Sequence, residues 1–152
     1  MVRVGIVMGS VSDDPVVQET VKVLESLSID FEVRVMSAHR KPKAVMEYAQ
    51  SARDRGVEVL IGAAGGSAAL PGVLAAWSTL PVIGIPLASS ELKGADALTA
   101  IAQMPPGIPV ACVAIGSWGA RNAAYLAAGI LAIKYPEIRK TYDEYRKNLQ
   151  ES

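Results

Sequence analysis

Apolar and polar positions divide this chain of 152 residues into two kinds of segment that alternate along its length. Short continuous apolar runs rich in β-branched residues read as strands buried on both faces: 2–8, 57–61, 81–86 and 110–115. Residues 31–36, Phe-Glu-Val-Arg-Val-Met, alternate as a strand does when one face is covered. Between these runs the apolar positions recur at helical spacing. A first helix opens near Pro15 and places Val17, Val21, Leu24 and Leu27 near one face. A second runs from Pro42 to about Arg55 and stops at Gly56. Further helices are predicted over 71–77, 95–103 and 119–134, and a charge-dense amphipathic one over 137–149. Five strands alternating with helices call for an α/β protein. The arrangement is a three-layer, doubly wound, five-stranded parallel sheet with helices on both faces and an extra C-terminal helix. No linker, repeat or low-complexity tract interrupts residues 1–152, which read as a single domain.

Composition narrows the partners. Fifteen basic residues balance fifteen acidic ones, and aromatics are 5% of the chain, so nucleic-acid binding has no electrostatic footprint. One cysteine, Cys112, and one histidine allow neither an intrachain disulfide nor a Cys/His metal cluster. The start shows no signal peptide and no apolar run is long enough to span a bilayer, so no membrane partner and a cytoplasmic location are expected. Half the chain is hydrophobic, yet it holds a single Phe, and alanine and glycine are abundant. Such small residues serve either a tightly packed core or burial between subunits. The last helix, about 136–150, likewise has two readings, packing on its own domain or reaching a neighbouring subunit.

In a parallel α/β sheet, ligands bind where strands end at the carboxyl edge. Three loops should converge there: 9–13, 37–41 and 62–70. The second holds His39, the only side chain whose ordinary pKa lets it exchange a proton near neutrality, beside Arg40, a planar and permanently charged fork for phosphate or carboxylate. The first, Gly9-Ser10-Val11-Ser12-Asp13, offers backbone N–H groups at a helix start, two hydroxyls and a carboxylate. That suits a phosphate and ribose hydroxyls, although Ser12 and Asp13 also serve as simple helix caps. The third, running through Gly65, Gly66, Ser67 and Ala68 to Leu70, has almost no side chains before Leu70. It would let a flat ring and a carboxylate approach the backbone, or it is only a tight strand-to-helix turn. Neither a Walker A sequence nor G-x-G-x-x-G is present, so ATP and NAD lack their usual signatures.

Taken together, Val7-Met8-Gly9-Ser10-x-Ser12-Asp13, Ser37-Ala38-His39-Arg40, Gly65-Gly66-x-Ala68-x-Leu70-Pro71-Gly72 and Gln103-Met104-Pro105-x-Gly107-Ile108-Pro109-Val110 resemble the PurE family. That family comprises N5-carboxyaminoimidazole ribonucleotide mutase and the related aminoimidazole ribonucleotide carboxylases of purine biosynthesis. The likeness covers nearly the whole chain, and Asn122-Ala123-Ala124 also fits. Arg40 after the histidine and the Gln-Met-Pro motif resemble the mutase class; the carboxylase class usually has Lys after the His.

The resemblance implies a flavodoxin-like sheet, a phosphoribosyl aminoimidazole substrate, no metal or organic cofactor, and a homo-oligomer, typically an octamer. It implies His39 as general acid–base, Ser10 and Asp13 on the substrate with Asp13 on the ribose, and Ser37 and Arg40 on the phosphate. Gly9, Ser12, Ala38, Gly65, Gly66, Ser67, Ala68 and Leu70 complete the expected binding set. One departure stands out: the family's second histidine, normally within Gly-Gly-Ala-Ala-His-Leu-Pro-Gly, is Ala69 here, and Ser67 replaces an alanine. The reaction expected is therefore the mutase conversion, with carboxylation by free CO2 as the alternative. A non-catalytic ribonucleotide-binding module is the alternative from another class. A receiver-type signalling domain shares the sheet but needs an Asp after strand three and a Lys after strand five, where this chain has Gly62-Ala63-Ala64 and Gly116-Ser117.

Overall fold

The computed structural model describes residues 1–152. Five parallel strands, β1 (Val4–Met8), β2 (Phe31–Val35), β3 (Val59–Gly65), β4 (Val82–Leu87) and β5 (Ala111–Cys112), lie in the order β2-β1-β3-β4-β5. The chain steps outward from β1 to β2, then crosses back to β3 on the other side of β1 and continues to β4 and β5. A crevice opens at this reversal, beyond the carboxyl ends of the strands. The register aligns those ends: Met8 pairs with Val35 on one side and Ala63 on the other.

Six helices cover the two faces: α1 (Asp14–Ser26), α2 (Pro42–Ala52), α3 (Ala69–Trp77), α4 (Ala95–Ala102), α5 (Gly116–Ala132) and α6 (Pro136–Glu151). One core joins α1, α5 and α6 to the sheet through residues such as Ile6, Leu24, Ile61, Ile85 and Leu131. The other joins α2, α3 and α4 through Val7, Val45, Leu60, Leu74 and Ile101. Successive β1 residues, Ile6 and Val7, thus serve opposite cores, as period-two side chains must. The one buried polar side chain, Thr20, donates its hydroxyl to the Ala120 carbonyl at 2.8 Å and ties α1 to α5.

Three sequence expectations are corrected. Residues 62–65, read as loop, continue β3; Gly62, Ala63, Ala64 and Gly65 pair with Gly84 to Leu87 of β4. Small residues are needed there, because a Cβ on Gly62 would lie 3.1–3.2 Å from Leu74 and Pro71 of α3. Strand five, expected over six residues, forms two. Its continuation is diverted at Ala114, whose φ is 124°, and the Val113 carbonyl accepts a bond from Asn122 Nδ2 at 3.1 Å. Finally, α3 opens at Ala69 and α5 at Gly116, before the residues expected. Ala68, with φ 43°, is the left-handed residue from which α3 starts.

The small residues and the last helix both make their contacts within the chain. Ala120, Ala123, Ala124, Ala127 and Ala128 are completely buried, so the alanine face of α5 seats that helix closely against its own sheet and α1. Helix α6 packs on α5 through buried Ile138 and through Tyr145, whose ring stacks on Tyr125 at 4.6 Å between centroids.

Candidate active site

Ser10 begins the first wall. It caps the 3₁₀ turn Val11–Asp13: its Oγ accepts from Ser12 N–H at 3.3 Å, and its own N–H donates to Asp13 Oδ2 at 3.1 Å. This reciprocal capping box corrects the expectation that Asp13 caps α1, which has no side-chain cap. Burial pushes the Asp13 carboxyl up, and the N–H groups of Ser10 and Gly9 pull it back. The Ser12 hydroxyl donates to Ser10 Oγ at 2.9 Å, which orients both hydroxyls.

The second wall is the turn after β2. Ser37 Oγ accepts from Arg40 N–H at 3.3 Å, and the Ser37 carbonyl accepts from Lys41 N–H at 2.8 Å, folding His39 and Arg40 outward. Both side chains are exposed, and neither the imidazole nor the guanidinium has a partner within the chain. Their polar atoms are therefore left open to solvent.

The third wall follows β3. Gly65 ends the strand, Ser67 is exposed at the turn, and Ala68 and Leu70 are buried beneath the opening of α3. The three walls enclose a cleft of about 380 Å³ lined by Gly9, Ser10, Ser12 and Asp13, by Ser37, Ala38, His39 and Arg40, and by Gly65, Ser67, Ala68 and Leu70. Of the expected set only Gly66 does not line it. With φ 60° and open space around its α-carbon, Gly66 turns the chain instead.

Ala64, Ala69 and Ser89 line the cleft and were not in the expected set. Ala64 is there because β3 runs further than its pattern indicates. Ser89 comes from the loop after β4, a fourth strand end on the same edge; the parallel sheet itself was the signal that this loop belongs with the other three. A larger hollow of about 770 Å³ lies near the opposite end of β4, around Trp77, Leu80, Val82 and Ile108. It contains none of the three loops. The smaller cleft is the candidate site because the free imidazole, the free guanidinium and the capped carboxylate all meet there.

A polar cleft at the strand-order reversal, with an imidazole and a free guanidinium side by side on one loop, is where a doubly wound α/β protein offers a site to a small anionic ligand. The family model described as AIR carboxylase matches residues 3–152, and the chain belongs to that family. It is 55% identical over 150 residues to the N5-carboxyaminoimidazole ribonucleotide mutase of Pyrococcus abyssi, covering 99% of this chain and 85% of that protein. It is 47% identical to the enzyme of that name from Bacillus subtilis, covering 98% and 92% of the two chains. The crystal structure of Treponema denticola PurE superposes with a TM-score of 0.86 at 27% identity, over 99% of this chain and 93% of that one. The flavodoxin-like architecture is thereby shared with a solved relative.

Proposed function

We propose that this protein is an N5-carboxyaminoimidazole ribonucleotide mutase of purine biosynthesis, acting in the cytoplasm as a homo-oligomer, an octamer. The observation that carries the reading is one cleft holding His39, Arg40 and Asp13 in a chain about half identical to enzymes of that name.

Arg40, with Ser37 beside it, holds the substrate phosphate by charge-assisted bonds, and the Asp13 carboxylate accepts from ribose hydroxyls. Protonated His39 gives its proton to the exocyclic nitrogen as the N–CO2 bond breaks, releasing CO2 into the cleft and leaving the enamine-like C4 of aminoimidazole ribonucleotide. C4 attacks the retained CO2, forming the new C–C bond. Neutral His39 then takes the C4 proton and the ring regains aromaticity. One imidazole gives a proton and recovers one, so no second acid or base is required. General acid–base catalysis of this kind contributes ~10²–10⁴-fold. Retention of CO2 beside C4 adds a proximity term, for which effective molarities reach ~10⁵–10⁸ M.

A second reading is favoured by one specific residue. Ala69 puts a methyl group on the cleft where the resemblance implies a second histidine, and a weaker hold on the migrating carboxylate would make free CO2 the substrate. Purified protein incubated with N5-carboxyaminoimidazole ribonucleotide, and separately with aminoimidazole ribonucleotide plus bicarbonate, tests both. The mutase reading expects C4-carboxylated product from the first mixture without added bicarbonate. Product only from the second transfers the protein to the carboxylases, and product from neither removes the enzymatic reading.

For the oligomer, the buried alanines of α5 no longer argue, since their own protomer covers them. Support comes from large apolar side chains left in solvent, above all Trp118 at 75% and Ile133 at 81% exposure. Such exposed surface marks interaction faces.

A further inference from the structure

The two serines after β4 are used differently. Ser90 builds the turn: its Oγ donates to Asp96 and accepts from Leu92 N–H at 3.2 Å. Ser89 does neither; it is exposed, its hydroxyl has no partner in the chain, and it lines the cleft. Its position depends on Gly65. A Cβ on Gly65 would lie 1.8 Å from Ser89 Oγ, so the hydroxyl occupies the notch that the missing side chain leaves at the end of β3. The register explains the meeting, since Gly65 pairs with Leu87, two residues before Ser89. Ser67, likewise exposed and without a side-chain partner, stands on the same wall as Ala69. The only polar side chains on the β3–β4 wall of the cleft are therefore two free hydroxyls.

We propose that Ser89 is a substrate-positioning residue that donates its hydroxyl hydrogen to the carboxylate in transit, holding it over C4 between cleavage and recapture. The proposal rests on the mutase reading and deepens it. A carboxylate needs donors on the side away from the ring, and the β3 end offers only the serines and backbone N–H groups. Serine stays a neutral donor across the working range, so this hold does not change with pH as an imidazole's would.

The test is the partition of N5-carboxyaminoimidazole ribonucleotide between C4-carboxylated product and released aminoimidazole ribonucleotide. In Ser89→Ala the released fraction should rise on the order of tenfold, the usual effect of losing a hydrogen bond to a charged group. Binding of aminoimidazole ribonucleotide, which lacks the carboxylate, should stay within about twofold. Ser89→Thr, which keeps the hydroxyl, should partition like the parent. Unchanged partition in Ser89→Ala overturns the proposal, as does equal leakage in the Ala and Thr variants, which would mean that loop shape matters and the hydroxyl does not. Because the unaltered protein is assayed first, failure of the mutase reading is seen before any variant is compared. If Ser89→Ala does not fold, Ser89→Cys supplies a near-isosteric weak donor for the same measurement, with increased leakage expected and unchanged partition again overturning the proposal.

Discussion

His39 and Arg40 are neighbours in one turn, but their proposed tasks separate in kinetics. His39→Asn keeps a smaller polar side chain without a titrating proton, so kcat should fall by ~10²–10⁴-fold while substrate still binds. Arg40→Ala removes a charge-assisted contact made before and during reaction, so KM should rise by ~10–100-fold with a smaller change in kcat. Steady-state kinetics on both variants checks the split; near-parental turnover in His39→Asn would take that residue out of the mechanism. Position 69 asks a different question. Ala69 opens α3 between buried Ala68 and Leu70, so an imidazole there has little room except toward the cleft, and overpacking typically costs ~1–3 kcal/mol. Ala69→His is expected to lower turnover, and Ser67→Ala to raise leakage of aminoimidazole ribonucleotide. A gain from the first with no effect of the second would refute compensation by Ser67.

At the scale of elements, the approach of α5 to the strand-five segment leaves no room for a side chain. A Cβ on Gly119 would lie 2.0 Å from the Ala114 carbonyl oxygen, a backbone atom that cannot swing away. Ala114 itself holds φ at 124°, a conformation open to glycine and costly for a side chain. The two positions should respond with opposite signs. Gly119→Ala should lower stability by ~1–3 kcal/mol. Ala114→Gly should raise it by ~1 kcal/mol, strain relief of ~1–3 kcal/mol outweighing the added freedom of the unfolded chain. Denaturant unfolding of the pair measures both, and a loss in Ala114→Gly would show that the diversion of β5 carries no strain.

For the molecule as a whole, two carboxylates tie distant parts of the chain together. Burial works against ionisation of Glu32, but bonds from Arg55 at 2.6 Å and Tyr48 at 2.8 Å outweigh it and hold the carboxyl below its ordinary value. Glu58 is likewise opposed by burial and held low by Tyr135, Lys134 and Arg3, which joins β1 to the α5–α6 junction. A depressed folded pKa means stability present above the unfolded value of about 4.3 and lost as pH falls through the lower folded one. Thermal midpoints should therefore drop as pH falls below about 4.5. Glu32→Gln should be less stable than the parent at neutral pH and converge with it in acid; a constant gap would remove Glu32 from the acid limb. The oligomer belongs to this scale too. Light scattering should give about eight times the 16.0 kDa protomer mass, and a monomer at low micromolar concentration would end the octamer proposal.

Much of this molecule was legible in its residues. The β-branched runs marked four strands, because a strand buried on both faces must be apolar throughout, and polar–apolar alternation marked the half-covered β2. Strand–helix alternation then implied a parallel sheet, and a parallel sheet brings every strand-end loop to one edge. The loops at Gly9, Ser37 and Gly65 could therefore be assigned to one cleft before any contact was known. What the tertiary structure decided depends on pairing and packing between segments far apart in sequence. Gly62 to Gly65 carry no strand propensity, yet they are strand because β4 supplies their hydrogen bonds and α3 leaves room for nothing larger. The alanines of α5 looked equally suited to a neighbour's surface, and only the closeness of α1 and the sheet assigned them to their own core. Ser89 and Ser90 are indistinguishable as adjacent letters. Asp96 engages one, while the notch at Gly65 leaves the other free on the cleft, because a hydroxyl's role depends on which atoms the fold brings within about 3 Å of it.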